Sequence, residues 1–293
     1  MRLLSHRADD GERLAVVTAT DDVVDVADLL GEPGWTMARL LTDGPTTVTS
    51  IGAALAAGGA WPTRPLPGIV PLPPVGRPGK IVAVGRNYAD HAAEQGVATA
   101  DDPILFTKYG SSVVPDGADI VWRATDTQQV DYEAELAVVI GTTARDVPEE
   151  RALDHVLGYA CLNDVSARDL QFGDGQWVRG KSLDTFCPFG PWIVTADEIP
   201  DPQVLRIRCL VNGEVLQDAN TSQMLHDVAA LIAFCSRFFT LEPGDVIATG
   251  TPAGVGVFRK PPRFLGDGDE VVIDIDGIGQ LRNRCRVEPD RAS

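Results

Sequence analysis

From Lys80 onward, the chain is a succession of short β-branched runs, each bounded by Gly, Pro, Asp or Asn. The runs are KIVAVG, PILFTK, ELAVVIG, PWIVTADEI, LRIRCLVNGEV, DVIATG and EVVIDIDGIG. Segments of this length and composition are typical of strands. Because they do not alternate regularly with long helical segments, the pattern disfavours a doubly wound parallel sheet. We expect a strand-rich α+β protein whose core is a mixed, mostly antiparallel sheet with a few helices.

A proline-dense connector precedes these runs. Residues 61–80, WPTRPLPGIVPLPPVGRPGK, cannot form an α-helix or a central strand, because proline lacks the N–H that both require. Three segments read as helical, namely ARLLTDGPTTVTSIGAALAAGG, NYADHAAEQG and DVAALIAFCSRFF. The Asn-Gly pair in VNGEV predicts a β-hairpin.

Charge and cysteine content limit the partners and the compartment. The 293 residues carry a formal net charge of −17, which disfavours binding to nucleic acid and to anionic membranes. No stretch approaches the ~18 apolar residues of a membrane-spanning helix, and the N-terminus has no secretory hydrophobic region. The five cysteines form no CxxC pair, and Cys161, Cys209 and Cys235 lie in apolar runs. We therefore expect buried free thiols and a reducing, cytoplasmic location.

Three carboxylates suggest a cation site. In a strand, alternation places Glu133 and Glu135 of VDYEAELAVVIG on one face, where their like charges repel. A cation would remove that repulsion, whereas a solvated edge-strand face would tolerate it. Asp164 follows an apolar run and should sit at a strand end near the core, where unpaired carboxylates are rare. Three carboxylates without a His or Cys ligand predict Mg²⁺, with Mn²⁺ or Ca²⁺ as alternatives.

Two further features carry chemistry. His91 and Glu94 lie three residues apart and are neighbours on one helix face. A carboxylate bonded to an imidazole raises its basicity, as a water-activating base requires, although an ordinary surface pair has the same spacing. Lys181 lies in an aromatic setting, where it either snorkels at the surface or stabilises a developing enolate or carboxylate.

The residues after Asp164 are a second candidate group. On a helix starting near Asp164, Arg168 and Gln171 would point the same way as that carboxylate. Three aromatic residues are candidates for the wall of an adjoining pocket, namely Phe172, Trp177 and Phe258. The spacing alone does not place these rings.

Five segments together resemble the fumarylacetoacetate hydrolase family, in the family's order from about Lys80 to about Arg286. They are GRNYADHAAEQG, VDYEAELAVVIG, NDVSARDLQ, GKSLDTFCPFGPW and PGDVIATGTPAGVG. The resemblance implies a mixed β-sandwich or roll of the fumarylacetoacetase C-terminal type with flanking helices, in a homodimer. It also implies a small N-terminal α/β domain over residues 1–70 and a catalytic domain over residues 71–293. Within the family, the branch of acylpyruvases and 2,4-diketo-3-deoxy-rhamnonate hydrolases is the most similar.

The resemblance implies a role for each residue singled out above. The metal ligands would be Glu133, Glu135 and Asp164. The catalytic residues would be His91 with Glu94, as the water-activating pair, and Lys181. The substrate-binding residues would be Arg168, Gln171 and Thr251, with Arg86, Tyr88 and Lys108 in nearby motif positions.

These roles imply a Mg²⁺-dependent hydrolase that cleaves the C–C bond of a 2,4-diketo acid or acylpyruvate to pyruvate and a carboxylic acid. The alternative is an isomerase, tautomerase or decarboxylase that acts on a 2-oxo dicarboxylic acid such as oxaloacetate through the same enolate. The pair of His91 and Glu94 favours hydrolysis modestly, because a base also moves protons between carbons. A metal-binding protein without catalysis is a further alternative, and Lys181 beside the pair argues against it.

Overall fold

The computed structural model of the chain describes residues 1–96 and 98–289. The strands are β1 Arg2–Ala8, β2 Gly11–Val17, β3 Asp22–Asp25, β4 Arg64–Pro65, β5 Val70–Pro71, β6 Ile81–Gly85, β7 Ile104–Thr107, β8 Val113–Val114, β9 Asp119–Arg123, β10 Val130–Asp131, β11 Ala134–Ile140, β12 Val156–Asn163, β13 Ser166–Ala167, β14 Cys187–Thr195, β15 Arg206–Val211, β16 Glu214–Asn220, β17 Val246–Ala248, β18 Glu270–Ile275 and β19 Gly279–Glu288. The α-helices are α1 Val26–Leu30, α2 Met37–Asp43, α3 Pro45–Ala57, α4 Ala89–Glu94, α5 Arg168–Asp174, α6 Val178–Lys181 and α7 Val228–Phe238.

The larger sheet runs in the order β4-β3-β2-β1-β14-β12-β11-β17-β6-β7, with β5 beside β1 and β8 beside β14. Most neighbours in this sheet are antiparallel, while β17 pairs with β6, and β14 with β8, in parallel. The expectation of a mixed, mostly antiparallel sheet is confirmed. A strand-rich fold of this kind also confirms that the chain is not a doubly wound parallel protein.

A second sheet, in the order β16-β15-β18-β19-β9, packs on one face of the first. Leu136 and Val138 of β11 lie in one hydrophobic cluster with Ile207 of β15 and Ile273 of β18. Ala137 and Val139 face a different cluster on the other side. Strand β11 is therefore buried on both faces, because its alternate side chains enter the two different clusters.

The hairpin between β15 and β16 forms as the Asn-Gly pair predicts. Asn212 and Gly213 both have positive φ, at 52° and 81°, which is the conformation of a type I′ turn. Helices α4 and α7 also lie where the sequence predicts them. The long N-terminal helical segment divides into α2 and α3 at Gly44, whose φ of 83° interrupts the helix.

The N-terminal residues join the same large sheet. Arg2 of β1 pairs with Val194 of β14, and Leu3 shares a hydrophobic cluster with Phe189. Within residues 61–80 the structure has two two-residue strands and one short 3-10 turn, in keeping with an extended connector. The domain boundary near residue 70 stays a prediction.

The cysteines agree with the sequence analysis. All five cysteines are buried and unpaired, as expected for Cys161, Cys209 and Cys235. Within the described residues, none of the helices is both long and apolar enough to span a membrane.

Candidate active site

Neighbouring antiparallel strands bring the three predicted carboxylates together. Glu133 lies just before β11, Glu135 is the second residue of β11, and Asp164 follows the end of β12. The pairing of Ala134 with Asn163 places these strand ends side by side, and the Asp164 N–H donates to the Glu133 carbonyl at 2.9 Å. Each side chain is buried, and each offers an oxygen that lies within 4.8 Å of the others.

Cationic side chains compensate two of these carboxylates. Lys181 Nζ lies 2.8 Å from Glu133 Oε2 and 2.7 Å from Asp164 Oδ2. Lys108 Nζ lies 2.6 Å from Asp164 Oδ1, and Arg168 Nη1 lies 2.7 Å from Glu133 Oε1. Burial by itself would raise the pKa of Glu133, but the charges of Lys181 and Arg168 lower it to about 2. Burial by itself would lower the pKa of Lys181, but Asp164 and Glu133 raise it.

Glu135 is the exception. Burial first, and then the charges of Asp164 and Glu133, hold the pKa of Glu135 well above its usual range. Its Oε2 accepts a hydrogen bond from the Gly250 N–H at 2.9 Å, and no cationic side chain in the described part of the chain lies within ion-pair distance of it. An uncompensated buried carboxylate between two others is expensive unless a cation joins it. The oxygen donors therefore fit a hard divalent cation.

The predicted imidazole–carboxylate pair forms on α4. His91 Nδ1 lies 2.7 Å from Glu94 Oε1, and Glu94 Oε2 accepts a hydrogen bond from the Gly254 N–H at 3.0 Å. The other ring nitrogen, His91 Nε2, lies 2.8 Å from the side-chain nitrogen of Gln95. Sequence reasoning missed Gln95, although its position one helical turn after His91 was a usable signal. Both ring nitrogens are therefore held in defined hydrogen bonds.

The helix that carries Arg168 begins later than expected. Helix α5 starts at Arg168, so Asp164 lies before it, and the prediction of one helix face with all three residues is wrong. The guanidinium instead reaches Asp131 Oδ2 at 2.8 Å and Gln171 Oε1 at 2.9 Å. Asp131 was also missed, because its partners, Arg168 and the N–H groups of Gly256 and Val257, come from distant parts of the chain.

Several of these groups meet at a cavity of about 90 Å³, although Glu135 and Asp164 are not among the residues of its wall. Its wall is formed by Val84, Gly85, Arg86, His91, Gln95, Phe106, Glu133, Arg168, Gln171, Phe172, Trp177, Lys181, Thr251 and Phe258. The three aromatic residues proposed for an adjoining wall, Phe172, Trp177 and Phe258, all lie on it.

Two of the predicted substrate-binding residues lie behind this wall. Lys108 is buried and bonds to Asp164 and to the backbone carbonyl of Lys181. Tyr88 is fully buried, and its hydroxyl has no hydrogen-bond partner in the described part of the structure. Thr251 lines the cavity, where its hydroxyl accepts a hydrogen bond from Gln217 at 2.8 Å.

Comparisons with known proteins agree with this arrangement. The profile of the fumarylacetoacetate hydrolase C-terminal domain matches residues 80–286. A mitochondrial oxaloacetate tautomerase of Bos taurus is 47% identical over 251 residues, which cover 85% of this chain and 79% of that protein. A fumarylacetoacetate hydrolase from Exiguobacterium antarcticum superposes with a TM-score of 0.86 at 42% identity, over 98% of this chain and 100% of that one. A maleylpyruvate hydrolase from Sphingobium sp. SYK-6, in complex with manganese(II) and pyruvate, gives a TM-score of 0.81 at 37% identity, over 99% and 100% of the chains.

The strand-rich fold and the buried acidic site are those of a class of enzymes that act on small molecules. The chain belongs to the fumarylacetoacetate hydrolase family, as its sequence motifs predict. Its relatives include a tautomerase as well as hydrolases, so the sequence-based preference for C–C hydrolysis is supported only in part. The alternative given in the sequence analysis, an isomerase or tautomerase, agrees better with the curated relatives. The narrower assignment to the acylpyruvase and 2,4-diketo-3-deoxy-rhamnonate hydrolase branch stays a prediction.

Proposed function

We propose that this protein is a metal-dependent isomerase of small 2-oxo dicarboxylic acids, which interconverts the keto and enol forms of oxaloacetate. The observation that carries the proposal is a single small cavity lined by both a histidine base and the cluster of Glu133 and Lys181. A cavity of about 90 Å³ is well below the ~300–1,000 Å³ of common ligand pockets, so it suits a small acid better than a long acyl group. The identity of 47% to an oxaloacetate tautomerase supports the same substrate class.

The hydrogen-bond chain identifies the basic atom of His91. Arg86 Nε donates to Gln95 Oε1 at 3.0 Å, so the side-chain nitrogen of Gln95 is left to donate to His91 Nε2. Nε2 is then the acceptor of the ring, and Nδ1–H donates to Glu94. In this tautomer, the Nε2 lone pair removes a proton from carbon 3 of the keto acid, and Glu94 stabilises the resulting imidazolium. Return of that proton to the enolate oxygen gives the enol.

The acidic cluster and its cations supply the charge stabilisation. A divalent cation held by Glu133, Glu135 and Asp164 would act as a Lewis acid toward the substrate's oxygens. Lys181 places an ammonium beside that cluster, where it offsets the negative charge that develops on the enolate. Arg168 Nη2 is buried without a partner among the described residues, which leaves a donor for the substrate's carboxylate.

The test follows the enol absorbance of oxaloacetate and the exchange of its carbon-3 hydrogens with deuterium, in Mn²⁺, Mg²⁺ or EDTA. We expect the protein with a divalent cation to exceed the rate produced by that cation alone. His91→Gln should lose about 10²- to 10⁴-fold, the usual contribution of a general base. Glu150→Gln is the control, because Glu150 is exposed and is not part of the cavity wall. An unchanged rate in His91→Gln would remove this residue from the mechanism.

Hydrolysis of acylpyruvates is the second candidate. The observation that favours it is the double anchoring of Glu94, which bonds to His91 and to the Gly254 N–H and so orients the imidazole as a base for water. Pyruvate release from acetylpyruvate, dependent on the cation and lost in His91→Gln, would support this reaction. Proton exchange without pyruvate release would exclude hydrolysis and support only the isomerase proposal. Mg²⁺ as the natural metal, the homodimer and the cytoplasmic location stay predictions.

A further inference from the structure

Arg86 differs from the other cationic side chains on the cavity wall. Lys181 and Arg168 each form ion pairs with buried carboxylates. In the described part of the chain, Arg86 has no carboxylate within 4 Å. Its Nε instead bonds to the neutral amide of Gln95, and its guanidinium lies 5.8 Å from the centre of the Trp177 ring. Among the described residues, no carboxylate therefore neutralises the positive charge of Arg86 on the cavity wall.

The backbone holds Arg86 in an unfavourable conformation. Its φ is 58°, in the left-handed region, which is strained for a residue other than glycine. The preceding residue, Gly85, has no room for a side chain, because a Cβ there would lie 2.5 Å from the Trp177 ring. The turn after β6 is thus packed against the ring that also faces the guanidinium. Strain of this kind, held in place by close packing, is characteristic of functional sites.

We propose that Arg86 binds a second carboxylate of the substrate and so selects dicarboxylic over monocarboxylic 2-oxo acids. The inference rests on the proposed function, because it assumes that the first carboxylate and the oxo group occupy the side of the cavity with Arg168 and the acidic cluster. A guanidinium on an aromatic ring is suited to a carboxylate, since it offers paired N–H donors in a fixed plane.

Gln95 links this site to the base. The side chain of Gln95 accepts from Arg86 Nε and donates to His91 Nε2, so it occupies the lone pair that must take the proton. A carboxylate that draws the Arg86 guanidinium toward itself competes with Gln95 for the same donor. When that bond is lost, Gln95 is no longer fixed against His91, and Nε2 becomes available to the substrate. Gln95 is in this sense a positioning residue, which frees the base when the correct substrate is bound.

The first test measures a ratio of two substrates. Carbon-3 proton exchange is followed by NMR for oxaloacetate and for 2-oxobutyrate, which lacks the second carboxylate, with Mg²⁺ present. Arg86→Met keeps an apolar stem against Trp177 but removes the charge. The ratio of kcat/KM for oxaloacetate to that for 2-oxobutyrate should fall by about 10- to 100-fold, the value of a charge-assisted hydrogen bond. Arg7→Met, at an exposed position on β1, makes the same change of charge and should leave the ratio unchanged.

The second test does not depend on turnover. Succinate has the carboxylate spacing of oxaloacetate and no oxo group. With Mg²⁺ present, titration of succinate should shift the ¹⁵N resonance of His91 Nε2 in the wild type as Gln95 leaves it, whereas propionate should shift it much less. In Arg86→Met the succinate shift should disappear, and in Gln95→Met the resonance should start near the succinate-bound position.

The outcomes separate this proposal from the proposed function. If the wild type accelerates exchange of neither substrate, the proposed function fails. If the wild type is active but Arg86→Met lowers kcat/KM equally for both substrates, the ratio is unchanged. Arg86 is then a structural residue, and the specificity proposal is overturned. A reduced ratio without any His91 response to succinate would keep Arg86 as the specificity residue and remove the role of Gln95.

Discussion

At the scale of single residues, two glutamates of the same cluster have opposite electrostatic properties. The pKa of Glu133 is lowered to about 2 because Lys181 and Arg168 outweigh its burial, while burial and like charges hold the pKa of Glu135 well above its usual range. A carboxyl group with a raised pKa in the folded state destabilises that state once the pH exceeds its unfolded value. At neutral pH, the charge of Glu135 therefore opposes folding in metal-free protein, and the charge of Glu133 favours it.

We expect substitutions at these positions to shift stability in opposite directions. In EDTA at pH 7, Glu135→Gln should raise the Tm, because it removes a buried charge that opposes folding. Each kcal/mol gained is worth about 2–4 °C in a protein of roughly this size. Glu133→Gln should lower the Tm, since it removes one partner of a buried ion pair, a change that costs about 3–5 kcal/mol. Thermal unfolding measures both.

Addition of a divalent cation is the control for this prediction. It should raise the Tm of the wild type, because a ligand that binds only the folded state stabilises it, and should raise that of Glu135→Gln far less. Shifts of equal sign for the two variants in EDTA would contradict the electrostatic description of the cluster.

At the scale of elements, the loop from β17 to β18 supports the candidate active site through its backbone. Gly254 has a φ of 105°, and its N–H donates to Glu94 Oε2. A Cβ at Gly254 would lie 2.3 Å from the Leu216 carbonyl oxygen, so no side chain fits there. Gly268, farther along the same connection, has a φ of 82° but no heavy atom within 4 Å of an added Cβ.

These two glycines form a matched pair for substitution by alanine. Gly268→Ala should cost about 1–2 kcal/mol of stability, from backbone strain alone, and leave kcat unchanged. Gly254→Ala should cost more, because the loop must also move away from Leu216, and kcat should fall as Glu94 loses its backbone donor. Urea unfolding and the proton-exchange assay measure the two effects. If Gly254→Ala has the kcat of Gly268→Ala, the loop does not position Glu94.

Periodicity explains which parts of the site the sequence predicts. Glu133 and Glu135 share a side because strands alternate, and His91 and Glu94 meet because helices repeat every three to four residues. Contacts between distant segments carry no such period. The bonds from Asp131 to Gly256 and Val257 span more than a hundred residues of sequence, and only the folded sheet brings them together.

The choice between isomerase and hydrolase is hidden from the sequence for a chemical reason. Both proposed reactions need a base, a cation site and a positive charge beside the enolate, so the same residues would serve either one. The size of the cavity and the position of Arg86 are properties of the folded chain, and they bear on the substrate more directly than any motif does. Fold class was accessible from strand patterns because each strand is a local signal.

At the scale of the whole molecule, a buried carboxylate ties the N-terminal strands together. Asp25 at the end of β3 lies 2.8 Å from His6 on β1, 2.9 Å from Arg13 on β2 and 2.5 Å from Arg64 on β4. Burial would raise the pKa of Asp25, but hydrogen bonds from His6 and Arg13 and the charge of Arg64 lower it to about 2. Because β1 also pairs with β14, this cluster connects the N-terminal strands to the strands that carry the candidate active site.

The lowered pKa of Asp25 determines in which direction stability changes with pH. The stabilisation by Asp25 is complete above its unfolded pKa near 3.8 and is lost as the pH falls through about 2. Its full value would be about 2.5 kcal/mol, and solvent screening at the half-exposed Arg13 and Arg64 reduces it to about 1–2 kcal/mol. We expect Asp25→Asn to lower the free energy of unfolding by that amount from pH 7 to pH 4, with a smaller difference at lower pH.

Urea midpoints of the wild type and Asp25→Asn, measured from pH 7 to pH 2.5, test this expectation. Asp218→Asn breaks an exposed pair with Arg206 and should change stability by less than about 1 kcal/mol. A difference for Asp25→Asn that grows as the pH falls would mean that its carboxylate opposes folding. If the difference has the predicted sign, acid should open the N-terminal strands first. Hydrogen exchange in β1 and β3 should then rise before exchange in β11 and β12, which are buried in the centre of the sheet.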